Sequence, residues 1–227
     1  LMLSNLGFSS TPTSAEFNKT RITDRNSLDT AITAWIADEA AATATYGDIN
    51  TWDVSAITDF SGLFQNKATF NSDISNWDVS NGTNFNRMFL NARAFNQDID
   101  DWDVSSGTSF DRMFAQAYSF NQDIGNWDVS SGTDFNGMFS GASSFNQDIG
   151  NWDVSNGTNF KYMFFRAGAF NQDIGSWNVS NGTDFSWMFA GSWDVPSNFN
   201  SDISNWDVSN GTDFEHMFNY AVAFEHY

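Results

Sequence analysis

Hydrophobic positions recur along the chain in a frame of 25 residues. The tetrapeptide Trp-Asp-Val-Ser begins at positions 52, 77, 102, 127, 152 and 206, and a Trp-Asn-Val-Ser variant begins at position 177. The same apolar residues surround each Trp; in the third unit they are Ile99, Trp102, Val104, Phe110, Met113, Phe114, Ala117 and Phe120. A unit this short cannot bury an apolar face alone, so the units are expected to stack and share one core.

Each unit combines two hydrophobic spacings. In the third unit, the spacing of Ile99, Trp102 and Val104 predicts a short inward-facing strand through Trp-Asp-Val. The next four apolar residues recur at three and four residues, which predicts a short helical turn. They are Phe110, Met113, Phe114 and Ala117. Gly107 is expected to relax the backbone between the strand and the helical turn.

The fold class predicted from these spacings is an α/β solenoid of the leucine-rich-repeat kind, with seven 25-residue coils and short parallel strands. Residues 48–227 form the repeat region, whose last coil is incomplete, and the extra residues around Pro196 are expected to bulge as a loop. Residues 26–47 carry helical apolar spacing and end at Gly47, which predicts an N-terminal cap helix. Residues 1–25 are Ser/Thr-rich and predict an extended N-terminal arm.

Charge and composition exclude several classes of function. The formal net charge is -19, from 28 acidic and 9 basic residues, so binding to nucleic acid or to an anionic membrane would work against long-range repulsion. Asp strongly outnumbers Glu, which favours turns over long helices. The absence of cysteine excludes disulfides, cysteine-ligated zinc and a thiol nucleophile. No apolar run is long enough to span a membrane.

The repeat resembles that of the BspA-like leucine-rich-repeat surface proteins, and the resemblance extends from Leu28 to Phe224. The usual form of that repeat reads Trp-Asp-Val-Ser-Asn-Val-Thr-Asn-Met. Here Gly replaces its second Val in six units and Phe replaces its Met in all seven, as at Gly157 and Phe160. The resemblance implies a location at the cell surface and a role in adhesion or interaction, and it carries no catalytic residues to this chain.

Asn-x-Ser/Thr sequons recur in the turns after Trp-Asp-Val-Ser. The candidates for N-glycosylation are Asn18, Asn81, Asn156, Asn178, Asn181 and Asn210. If the source is eukaryotic and the protein is secreted, these residues are expected to carry glycans on exposed turns. The alternative is that Asn, Gly and Thr only satisfy the turn.

A series of Asp residues lies at the centre of the Trp-Asp-Val segments: Asp53, Asp78, Asp103, Asp128, Asp153 and Asp207. Stacked carboxylates could form a calcium or ligand ladder. The favoured interpretation is that each accepts hydrogen bonds from a neighbouring Ser or backbone N–H, because no recognised calcium loop is present. A second series, from Asp73 to Asp202, is expected to cap turns together with nearby Asn side chains. No metal and no cofactor are expected.

Three functions remain open at this level. The first is a structural subunit of an extracellular fibre or coat, which we favour because the Trp-Asp-Val-Ser segments hardly vary between units. The second is an adhesin module that binds glycan or protein through its strand face. The third, more remote, is a carboxylate-dependent glycoside hydrolase. The repetition argues against an enzyme, because a catalytic site needs residues that differ from their equivalents in other units.

Head-to-tail assembly into a homo-oligomer is the sharpest of these expectations. The last coil ends at aromatic residues without a polar cap, whereas residues 1–25 have no evident intramolecular partner. Cationic residues are present in the arm, and none follows Arg166, so opposite ends of two chains are expected to attract. The cationic residues of the arm are Lys19, Arg21 and Arg25. The alternatives are a polypeptide that continues, or an arm that folds back on its own cap helix.

Overall fold

Residues 20–226 are described by a computed structural model. Two α-helices precede the repeats, α1 (Arg25–Ala37) and α2 (Glu39–Tyr46), and a 3-10 turn over Ile49–Thr51 leads into the first unit. From Trp52 onward the chain is built of turns joined by isolated parallel bridges, and the described part of the chain contains no continuous strand.

The helical segment predicted over 26–47 is two helices divided at Asp38. The backbone of Asp38 is extended, and its carboxylate accepts the N–H of Ala41 at 3.0 Å, so the same residue ends α1 and starts α2. The buried residues of α1 are Leu28, Ala31, Ile32 and Trp35. The Trp35 ring meets the edge of Trp52 at 5.9 Å between centroids, so the helices cover the first repeat unit.

The strand predicted through Trp-Asp-Val is not formed. The Asp103 carboxylate accepts the N–H of Ser105 at 3.0 Å, which turns the chain directly after Trp102. Parallel bridges between units lie seven residues after each Trp instead, and they join Asp59, Asn84, Ser109, Asp134, Asn159, Asp184 and Asp213 in order. Because the Asp carboxylate accepts the N–H of the following Ser, the backbone pairing between units occurs further along the chain, in the segment that follows Gly-Thr.

The segment predicted as a helical turn is a series of tight turns. Alternate backbone N–H groups, those of Phe110, Arg112, Phe114 and Gln116, donate to carbonyls of the next unit at 2.7–2.9 Å. Of the intervening N–H groups, those of Met113 and Ala115 donate three residues back within the unit, and that of Asp111 donates to Asn86 Oδ1 of the preceding unit at 3.1 Å. Arg112 and Gln116 accordingly have left-handed backbones, with φ of 52° and 57°. A helix would keep every N–H within its own unit, whereas this arrangement gives half of them to the neighbour.

The predicted core is confirmed. Every apolar residue quoted for the third unit is at most 3% exposed. Phe114 stacks on Phe139 of the next unit at 5.8 Å and on Phe120 of its own unit at 4.0 Å. The indole Nε1–H of Trp127 donates to the Ile99 carbonyl of the preceding unit at 3.0 Å. Six successive units make this buried bond, through Trp77, Trp102, Trp127, Trp152, Trp177 and Trp206.

The glycine after Trp-Asp-Val-Ser serves close packing, and the expected relaxation of the backbone is not its role. Gly107 is not among the residues with positive φ. A Cβ atom on Gly107 would lie 2.6 Å from Cζ of Phe110 and 2.9 Å from the Val104 carbonyl oxygen. The ring of Phe110 thus occupies the space that a larger residue would need, which accounts for Gly at this position in the six units after the first; the first unit has Ile57 before Phe60.

The insertion near Pro196 is a loop that leaves the stack intact, as expected. Ser192 and Val195 exchange backbone hydrogen bonds at 2.8 and 3.2 Å, which closes the loop at its base. Beyond it, Phe199 stacks on Phe170 at 6.2 Å, so the aromatic register resumes.

Candidate functional site

The Asp residues of the Trp-Asp-Val segments hold turns. Each accepts the N–H of the Ser two residues later at 3.0–3.1 Å, and Asn178 does the same at 3.2 Å. The Ser hydroxyl is the main cause that lowers the pKa of Asp103 and Asp153 below its ordinary value, whereas for Asp207 the backbone N–H of Ser209 leads. These bonds agree with the hydrogen-bonded interpretation. They involve Asp53, Asp78, Asp103, Asp128, Asp153 and Asp207.

The second Asp series and its Asn neighbours have different roles. The Asp residues cap turns, as in Asp123, which accepts the N–H of Gly125 at 2.9 Å. The Asn residues join units, because the Oδ1 atom of each of the first five accepts the backbone N–H of its equivalent in the next unit at 2.7–2.9 Å, and Asn200 Oδ1 accepts the N–H of Glu225 at 3.0 Å. This asparagine ladder consists of Asn71, Asn96, Asn121, Asn146, Asn171 and Asn200.

The sequon side chains are exposed but engaged. The Nδ2 atoms of Asn81, Asn156, Asn181 and Asn210 donate to a Ser carbonyl of the preceding unit at 2.7–2.9 Å. Asn178 is also exposed, and its Oδ1 accepts the N–H of Ser180. Asn18 lies outside the described residues. A glycan on Nδ2 would therefore share its nitrogen with a contact between units.

The end of the N-terminal arm is held by its own first unit, which corrects the expectation that residues 1–25 lack an intramolecular partner. The N–H of Ile22 donates to the Asp53 carbonyl, and the N–H of Asp53 donates to the Thr20 carbonyl, both at 2.9 Å. Arg21 lies 4.0 Å from the Asp53 carboxylate. Arg25 binds Asp29, with further bonds from its guanidinium to backbone carbonyls of the first unit. Lys19 and the residues before it lie outside the described part.

The last unit exposes side chains that are buried elsewhere. Val208 and Phe214 are 36% and 40% exposed, whereas their equivalents in the preceding unit, Val179 and Phe185, are 1% and 0% exposed. Each interior unit covers these positions on its predecessor.

The outward side chains of the turn series vary from unit to unit, and the sequence analysis did not recognise them as a surface. We call this surface the variable face; it lies within residues 61–69, 86–94, 111–119, 136–144, 161–169, 186–198 and 215–223. Every Lys and Arg after Arg25 falls in it: Lys67, Arg87, Arg93, Arg112, Lys161 and Arg166. The signal for this face is present in the sequence, because the residues at these positions differ between units whereas the Trp-Asp-Val-Ser segments are nearly uniform.

Aromatic side chains cluster on the variable face. The Trp187 ring contacts Tyr162 at 6.0 Å, Phe165 at 5.9 Å and His216 at 4.4 Å between centroids. All four are partly or fully exposed, unlike the stacked Phe residues of the core. Tyr118, two units earlier than Phe165, is 41% exposed. These rings form an apolar surface outside the core.

Two adjoining cavities open beside this cluster. One has a volume of about 360 Å³ and is lined by Arg112, Gly137, Tyr162 and Trp187 among others. The other has a volume of about 480 Å³ and extends past Gly141 to the insertion loop. They share Ser140 and Phe165, so together they form one cleft across four units.

A polar network lies on the same face. The buried Asp111 carboxylate lies 3.1 Å from Arg112 and 3.5 Å from Arg87, and it accepts a bond from Asn136 Nδ2 at 2.8 Å. Burial raises the pKa of the neighbouring Asp134, and the charge of Asp111 adds to this effect. The ionised form of Asp134 is therefore less favoured in this network than that of a free Asp side chain.

Among residues 20–226, no three His, Asp or Glu side chains converge as metal ligands. Within the same residues, neither helix has the length and apolar composition needed to cross a bilayer.

Comparisons with known proteins identify a family. Neither a curated protein nor a solved structure matches the chain significantly. A family described as "Mycoplasma protein of unknown function, DUF285" matches residues 30–148 and 122–227, which together cover most of the sequence, and the repeats found here are consistent with it. The chain therefore belongs to the DUF285 repeat family.

Proposed function

We propose that this protein is a structural repeat protein of the cell surface, that its units form a solenoid of the leucine-rich-repeat kind, and that it is related to the BspA-like surface proteins. The observation that carries the proposal is the identity of the contacts between units. The Trp127 indole bond to Ile99 recurs at six junctions, and the asparagine ladder follows the same register. Such repetition produces length and stiffness and needs no reactive group.

The location is tested on cells that produce the protein. We expect an antibody against the repeat region, or protease added from outside, to reach the protein on intact cells. Labelling that appears only after lysis would contradict the proposed location. A cytoplasmic marker protein serves as the control for cell integrity.

The finer part of the proposal is that copies join head to tail. The exposed Val208 and Phe214 would be covered by whatever stacks on the last unit, either further polypeptide or another copy. Since Arg21 and Arg25 are engaged within their own chain, residues 1–19 are the part of the arm that we assign to the contact. This segment begins with the apolar sequence Leu-Met-Leu, which suits the exposed Val and Phe.

Sedimentation velocity over a range of concentrations tests the assembly. We expect the 227-residue chain to form a growing series of oligomers, and a chain lacking residues 1–19 to stay monomeric with an unchanged melting temperature. A full chain that remains monomeric at every concentration would refute the assembly. Oligomers that persist after the deletion would refute the role of residues 1–19.

Adhesion is a second candidate function, and the variable face favours it. A binding surface needs differences between units, and these differences lie beside the cleft. They leave the uniform Trp-Asp-Val-Ser turns untouched.

A further inference from the structure

Three departures from the repeat converge on the cleft of the variable face. They are the Gly137 and Gly141 pair, the aromatic cluster around Trp187, and the insertion loop, whose Val195 lines one cavity. From this convergence we infer that the cleft is a binding site for an uncharged carbohydrate chain. The inference does not depend on head-to-tail assembly.

The glycine pair removes two side chains from this face. The Arg112 side chain packs on Gly137, with its Cγ 3.2 Å from the place that a Gly137 Cβ would take, so the open slot lies at Gly141. Gly137 stands between Arg112 and Tyr162 of the adjacent units, and Gly141 likewise stands between larger residues. Gly137 and Gly141 have φ of 58° and 72°, close to the values of their neighbours, so the backbone course is retained and only side chains are missing. Since neighbouring chains in a sheet lie about 4.8 Å apart, the slot is roughly one unit wide.

A slot of this width accepts a ring and excludes a helix. An α-helix with its side chains is about 10 Å across, so a helical peptide would rest on the rim of the slot. A sugar ring can enter edge-on and place its apolar C–H face against Phe165 and Trp187. The cleft volume of about 480 Å³ beside Gly141 falls in the range of ordinary ligand pockets.

Polar groups of the cleft suit hydroxyl ligands. Gln116, Ser140 and Ser143 line the cavity, and none of their side chains has a hydrogen-bond partner among the described residues. They offer both donors and acceptors around the aromatic wall. A sugar presents donors and acceptors on every hydroxyl, so it can match such a set without carrying charge.

The cations near the cleft are already paired, which favours an uncharged ligand. Arg166 lies 2.7 Å from Asp194, and Arg112 lies 3.1 Å from Asp111. Lys161 lies 3.9 Å from Asp184. With these charges compensated and a chain charge of -19, an acidic sugar or an acidic peptide would meet net repulsion.

The insertion loop, whose Val195 lines the cleft, also carries an exposed ring. Trp193 is 84% exposed, far more than the Trp residues of the core. The loop that carries it is closed by the Ser192–Val195 backbone pair and fixed to the cleft by the bond from Arg166 to Asp194. An exposed indole on a held loop is positioned to cover a second sugar ring of the chain.

The test begins with an array of uncharged oligosaccharides, with sialylated and sulfated glycans and acidic peptides on the same array. Positive spots are then titrated by tryptophan fluorescence in solution. We expect an uncharged oligosaccharide to bind and the acidic probes not to bind. Binding to no uncharged oligosaccharide, or preference for an acidic glycan or a peptide, would overturn the inference.

Variants locate the site. Gly141→Gln fills the slot with the residue of the preceding unit, and Trp187→Gly introduces the residue found at the same place in two other units, so both are expected to fold. Each should weaken binding about tenfold or more. Asn66→Gln, at the position equivalent to Gly141 in the first unit, should leave the affinity unchanged. Equal binding by all three variants and wild type would place the ligand elsewhere and refute the assignment.

Discussion

Replacing Gly132 by valine tests the packing that distinguishes this repeat from the usual Val-and-Met form. A Cβ atom on Gly132 would lie 2.5 Å from Cζ of Phe135 and 2.9 Å from the Val129 carbonyl oxygen. The Phe135 ring cannot withdraw, because it is stacked between Phe110 at 5.7 Å and Phe160 at 5.6 Å. Overpacking of this kind costs about 1–3 kcal/mol of the free energy of unfolding.

The matched partner is Phe135→Met, which introduces the residue of the usual repeat. Alone it should destabilise the protein by about 1–2 kcal/mol, because a ring is lost from the Phe stack. In the double variant the Phe135 ring no longer occupies the space beside the introduced valine, and only the contact with the Val129 carbonyl oxygen and the Phe110 ring remains. We therefore expect the combined cost to be smaller than the sum of the two single costs, by about 1 kcal/mol or more.

Urea unfolding followed by near-ultraviolet circular dichroism gives the three free energies, and a double-mutant cycle gives the coupling. The contact between Gly132 and Phe135 predicts a clearly favourable coupling. Strict additivity would refute the steric explanation, as would a Gly132→Val variant of wild-type stability.

Four further predictions follow from the same contacts. Trp127→Ala should lower the free energy of unfolding in urea by about 3–5 kcal/mol. Trp127→Phe should lower it by about 1–3 kcal/mol, because its main effect is to leave the buried Ile99 carbonyl without a hydrogen-bond donor. A native-like stability of the Ala variant would contradict the core assignment. Asp134→Asn should raise the melting temperature at neutral pH, because burial raises the folded-state pKa of Asp134 and its stability contribution falls as pH rises through that value. Asp153→Asn should lower the melting temperature, because Ser155 depresses the pKa of Asp153 and the contribution of its carboxylate is lost as pH falls. Each effect should therefore shrink as pH falls through the folded-state pKa of the group concerned. Calorimetry with calcium should give no tight saturable transition, and a large thermal stabilisation by calcium would show that the Asp series binds metal. If the source is eukaryotic, mass spectrometry of native material should find glycans at the four Asn-Gly-Thr sequons, which are Asn81, Asn156, Asn181 and Asn210. Unmodified peptides covering all four would refute the modification.

The sequence was sufficient to predict the core, the repeat register and the position of the insertion. These features depend on which side chains are buried, and the same positions are buried in successive units independently of the local backbone conformation. The Trp102 and Phe114 positions are buried in the structure although the strand and the helical turn assigned to them are absent. The apolar spacing thus predicted correctly which residues point inward, but it predicted the wrong backbone conformation for the segments that carry them.

The local backbone could not be predicted because side-chain acceptors and contacts between units decide it. The Asp103 carboxylate competes for the Ser105 N–H and ends the extended segment. In the turn series, Arg112 adopts a left-handed conformation because its N–H binds the next unit, which an isolated unit does not contain. The cleft was missed for a related reason: its residues come from four units and meet only in the stack.

The stacking of the units in register can be measured most directly by hydrogen exchange of the indole N–H groups. The chain has ten Trp residues, whose indole signals fall in a separate region of a ¹⁵N-correlation spectrum. The Nε1–H groups of six of them donate to a buried carbonyl of the preceding unit, and these should exchange together, at a rate set by global unfolding. Trp187 and the exposed Trp193 should exchange quickly. Rapid exchange of all ten indoles, or slow exchange that includes Trp193, would contradict the stacked arrangement.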